Sequence, residues 1–113
     1  MVLLFLLEEQ DFNALKFVDS HYSPGKIVLA DPFISFGVFP VGKNHVVAIP
    51  GSNLGYGDLK FQALFFSPEE SCALKKSILQ GFDADLVVSR TEIACDFLEK
   101  KFDNGTMVFE VLK

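Results

Sequence analysis

The sequence predicts a single α+β domain in which a mixed, largely antiparallel sheet of about six or seven short strands is joined by three helices. Three observations lead there. The chain has 113 residues, the usual size of one domain, and no composition shift divides it. Half of the residues are apolar and 22% are charged, enough apolar material to offset the entropy of ordering. Helical stripes flank a middle region, residues 26–66, that is rich in β-branched and aromatic side chains and cut into short runs by Pro and Gly.

The expected order is β-α-β-β-β-β-α-β-α-β. Val2–Leu7 is apolar at every position and reads as a central strand covered on both faces. Asp11 caps a helix running to about His21, with Ala14, Leu15, Val18 and Tyr22 on its apolar side. Ser23-Pro24-Gly25 is a turn. Strands then follow over Ile27–Ala30, Ile34–Phe39, His45–Ile49 and Leu59–Phe66, and their brief connections favour an antiparallel meander. In the last of these Leu59, Phe61, Ala63 and Phe65 alternate with Lys60, Gln62 and Leu64.

Ser67-Pro68-Glu69-Glu70 carries a helix start, with Ser as cap, Pro in the first turn and Glu70 completing a capping box; the helix stops at Gly81. Leu86–Val88 is a short strand. A third helix, capped by Ser89 or Thr91, presents Ile93, Ala94, Phe97, Leu98 and Phe102 and ends at Asp103-Asn104-Gly105. Met107–Leu112 closes the chain as a strand.

Charge and thiol content narrow the function classes. A net charge of −5 disfavours phosphate backbones, so nucleic acid is an unlikely partner. The opening MVLLFLL is far shorter than the roughly 20 residues of a spanning helix and lacks the pattern of a signal peptide, so no membrane role is expected. Cys72 and Cys95 lie in predicted helices without metal or CxxC spacing and read as buried free thiols, which implies a cytoplasmic location. No cofactor motif is present.

Thirteen phenylalanines, no tryptophan and two tyrosines leave nearly all the aromatic mass without a polar handle. Phe33, Phe36 and Phe39, with Ile34, Val38 and Val41, load both faces of one strand region, so that strand is either central or has one face covered by another chain or a ligand. The glycine-rich stretch 51–58, carrying Asn53 and Tyr56, reads as a hairpin connection open to ligand or partner contact. A phosphate-cradling loop needs a helix after it, and a strand is expected there instead.

The leading function is therefore a non-catalytic binding or assembly protein, of accessory-subunit or inhibitor type, acting through Phe33, Phe36, Phe39, Asn53 and Tyr56. Its partner is a larger basic protein or a second copy in a homodimer. The enzymatic alternative is a metal-dependent phosphodiester hydrolase, with Asp31 and Asp58 holding the cation and Lys60 stabilising phosphate charge. Asp31-Pro32 reads equally as a turn, and Lys60 as a wet strand position. A small-molecule pocket between sheet and helices is the third reading. His21 and His45 have no partner at metal or triad spacing and read as structural or exposed.

Overall fold

The computed structural model describes residues 8–23, 25–31, 45–46 and 56–113. Helix α1 (Glu9–His21) buries Ala14, Leu15 and Val18, the stripe that its periodicity predicts. Its first turn differs from expectation. Glu8 is the cap, and Asp11 sits three residues on, its Oδ2 accepting the Glu8 amide at 2.8 Å. After the turn at Gly25, β1 (Ile27–Ala30) and the two-residue β2 (His45–Val46) lie parallel, Ile27 opposite His45.

Helix α2 (Tyr56–Phe65) occupies the segment expected to be a strand, and helix α3 (Cys72–Phe82) follows. Over residues 61–65 of α2 the buried positions are Gln62 and Phe65, three apart, while Phe61 and Ala63 are exposed. The alternation in the sequence was thus a coincidence of apolar type, and helical spacing decides the face. Gln62, which reads as a wet position, is 1% exposed and donates from Nε2 to the Ala30 carbonyl at 2.8 Å, fixing α2 against the end of β1.

Helix α3 starts four residues later than expected. Its cap is Ser71, whose Oγ accepts the Leu74 amide at 3.2 Å. It runs one residue past Gly81, and Asp83 takes the left-handed conformation (φ 54°) expected of glycine there.

Strands β3 (Leu86–Ser89), β4 (Leu98–Asp103) and β5 (Met107–Val111) complete a sheet of order β2-β1-β3-β5-β4. β3 runs parallel to β1, and β5 is antiparallel to both β3 and β4. The described sheet is mixed, four strands plus the two-residue β2, rather than largely antiparallel with six or seven. A parallel β1–β2 pair cannot arise from a hairpin meander, because parallel strands need a crossover. The expected strands Val2–Leu7 and Ile34–Phe39 lie outside the described residues.

The expected third helix is instead an extended segment leading into β4. Ile93, Cys95 and Phe97 are buried while Ala94 and Asp96 are exposed, a period of two. Asn104-Gly105 is then a hairpin turn, not a helix end. Gly105 adopts φ 106°, and a Cβ on it would lie 2.8 Å from Gln10 Oε1. Among the described strands β4 stands at one end of the sheet order; it exposes Glu99, Lys100 and Lys101 in succession and its pairing with β5 slips between Lys100 and Phe102.

Strand alternation divides the interior in two. Val28, Ala30, Leu86, Val88 and Val108 pack with Ala14, Leu15 and Val18 of α1. On the opposite face Leu29, Val87, Met107 and Phe109 pack with Phe65 of α2 and Ile78 and Leu79 of α3. The product is a compact α+β unit of three layers, with a Cα radius of gyration of 12.7 Å.

Candidate functional site

The outer surfaces of α2 and α3 meet in an apolar groove lined by Phe61, Leu74, Ser77, Ile78, Gly81 and Phe82, about 330 Å³ in volume. Phe61 is 44% exposed, and its ring meets Phe82 edge to face with centroids 6.2 Å apart. Beneath, Phe65 and Ile78 join the main core, so the groove floor is fixed while its rim is wet.

Lys75 locks the two helices together. It is only 6% exposed; its Nζ donates to the Phe65 carbonyl at 2.7 Å and the Ser67 carbonyl at 2.8 Å and lies 5.6 Å from the Phe65 ring centroid. The ammonium thereby satisfies carbonyls left open at the end of α2 and complements its dipole. Burial holds the Lys75 pKa below its ordinary value, with Glu70 opposing the shift.

The residues singled out from the sequence are placed unevenly. Phe33, Phe36, Phe39 and Asn53 lie outside the described residues. Tyr56 and Asp58 fall in the first turn of α2, with Lys60 in the next, so a helix follows the glycine-rich stretch where a strand was expected. On a strand positions two apart share a face, whereas around a helix they lie about 200° apart, and it is a helix that carries positions 58 and 60. Asp31 follows β1, its amide donating to the Val88 carbonyl at 2.9 Å. Among the described residues no cluster of three His, Cys, Asp or Glu could hold a metal ion.

His21 is exposed at the end of α1, stacked on Phe17 with its Nδ1 3.0 Å from the Phe17 carbonyl. His45 lies in β2. Phe61 and Phe82, which line the groove, are not singled out by the sequence: Phe61 falls on a strand face in that reading, and Phe82 lies just past the expected helix end at Gly81. A helical reading of residues 56–65 was the available signal.

Two polar constellations lie away from the groove. Asp11, 0% exposed, accepts from Arg90 and from Thr106 Oγ1, the latter at 2.6 Å. The second corrects the thiol reading: Cys72 and Cys95 form a disulfide, with Cα atoms 5.7 Å apart. Neither cysteine lies within a helix interior. Cys72 is exposed at the first position of α3, and Cys95, 8% exposed, sits in the extended segment before β4.

Among the described residues no helix is long and apolar enough to cross a membrane. Comparison with protein-family models, with curated proteins and with solved structures found no match.

Proposed function

We propose that this chain is a non-catalytic binding protein, of accessory-subunit or inhibitor type, that docks a larger basic protein on the α2–α3 groove. The observation that carries this is Phe61, held 44% exposed on a rigid floor beside Phe82. Large aromatic anchors in a fixed apolar setting are what interface centres use. A small-molecule site needs several convergent polar groups as well, and among the described lining side chains the groove offers the Ser77 hydroxyl alone. The net charge of −5 favours a basic partner over a like-charged second copy. Phe33, Phe36, Phe39, Asn53 and Tyr56 remain proposed contacts of the same partner.

The cytoplasmic location expected from free thiols loses that support. A disulfide persists in an oxidising compartment or under redox control.

Affinity capture from the native host, run in parallel with wild type and Phe61→Asp at low and high salt, tests the reading. A basic protein retained by wild type, lost with Phe61→Asp and weakened by salt is expected. Retention unaffected by Phe61→Asp overturns it, and a concentration-dependent dimer by light scattering, abolished by the same substitution, assigns the groove to a second copy instead.

A further inference from the structure

We propose that Cys72–Cys95 is a thiol–disulfide exchange site, reduced by a dithiol oxidoreductase or low-molecular-weight thiol that attacks the Cys72 sulfur. The inference is independent of the docking groove. It rests on an asymmetry between the two cysteines and on the space beside them.

Cys72 is exposed, whereas Cys95 is 8% exposed and packs in the main core cluster with Ile93 and Phe97. Cys72 is therefore the more accessible of the two residues to an incoming thiolate. An open cleft of about 260 Å³ adjoins the bond, lined by Pro68, Glu70, Cys72, Lys75, Glu92, Ile93, Ala94 and Cys95. Exposed disulfides are the labile ones, while structural bridges sit where thiols cannot reach.

The position of Cys72 also suits the reverse reaction. It is the first residue of α3, where the positive end of the helix dipole favours a thiolate. Lys75 stands one turn further along and lines the same cleft. Of the two carboxylates facing it, Glu92 is paired with Lys100 at 2.5 Å, leaving Glu70 as the opposing charge. Cys72 Sγ additionally lies 3.4 Å from the Ala94 carbonyl oxygen.

The exchange balances in two steps. The external thiolate forms a bond to Cys72 Sγ as the Cys72–Cys95 bond breaks, and the electron pair leaves on Cys95 Sγ, which takes a proton from solvent. The second thiol of a dithiol reductant, or a second molecule of a monothiol, then displaces Cys72 as thiolate. The reductant leaves as a disulfide, and Cys72 takes up the second proton. Two electrons have passed to the protein.

Wild-type oxidised protein is mixed with glutathione under native conditions, quenched with acid and mapped by mass spectrometry, with far-UV circular dichroism recorded in parallel. The expected result is a glutathione adduct on Cys72 while the native spectrum persists. An adduct on Cys95, or no reaction until the protein is denatured, overturns the proposal. The single variants supply a second readout. Cys95→Ser should form a mixed disulfide with oxidised glutathione at least about tenfold faster than Cys72→Ser, because only its remaining thiol is exposed and at a helix start. Equal rates overturn it.

Discussion

Arg90 grips Asp11 across 79 positions of the chain: Nη2 lies 2.5 Å from Oδ2 and Nε 3.2 Å from Oδ1, a two-point contact on a carboxylate with no exposure to water. Burial alone would raise the Asp11 pKa. The bonds from Arg90, Thr106 and the Glu8 amide outweigh it and hold the carboxyl below its ordinary 3.8.

Arg90→Ala strands that carboxylate, and we expect a loss of about 3–5 kcal/mol in urea unfolding. A loss under about 1 kcal/mol would show the pair to be energetically idle. The acid limb follows from the same contact. The folded carboxylate gives up its charge only below 3.8, so its contribution is complete above that pH and disappears as pH falls through the folded value. In Asp11→Asn this part of the acid sensitivity should vanish.

Tyr22 predicts the alkaline limb. Burial first, and then its hydrogen bond to Glu110 Oε1 at 3.0 Å, push its pKa up to about 12. The unfolded phenol ionises near 10, so the folded state holds its proton longer, and stability drains as pH rises from 10 towards 12. Spectrophotometric titration of wild type against Tyr22→Phe should remove a transition near 12; loss of one near 10 instead would contradict the assignment.

Two glycines should respond in opposite directions to alanine. Gly105→Ala meets both a φ of 106° and the Gln10 side chain at 2.8 Å, and should cost about 1–3 kcal/mol. Gly81→Ala, inside α3 with nothing within 4 Å, should stabilise by about 0.5–1 kcal/mol. Thermal melts of the two variants decide it, and a shift of the same sign in both would be the wrong outcome.

Removing the Cys72–Cys95 bridge releases a loop of 23 residues' separation, worth about 3 kcal/mol in the chain-entropy picture. Denaturant midpoints of oxidised wild type and the double Cys→Ser variant measure it. An unchanged midpoint would show that the reduced chain is already as restricted.

Much of the fold was legible where local signals agreed with packing. The stripe of α1, the strands at Ile27–Ala30 and Leu86–Val88, and the closing strand from Met107 all stand as read. The failures share a cause, since apolar identity does not reveal which apolar group is buried. Phe61 and Ala63 alternate with Gln62 in the sequence and both are exposed, while Gln62 is interior and donates to the Ala30 carbonyl. Between Thr91 and Phe102 the helical spacing of Ile93, Ala94, Phe97 and Leu98 was real, but the stretch turns at Asp96–Phe97 into β4, and Cys95 is bonded to a residue 23 positions away. No sequence window contains that partner. The groove was missed for the same reason, being the meeting of two helices of which one had been read as a strand.

The charged flank of β4 limits how this protein can be recognised. A terminal strand normally offers its free amides and carbonyls to any extended chain, which is how sheets add foreign strands or stack into fibrils. Here three consecutive charged side chains and a slipped ladder spoil that template. Strand addition along β4 is thereby disfavoured, for a foreign chain and for a second copy alike.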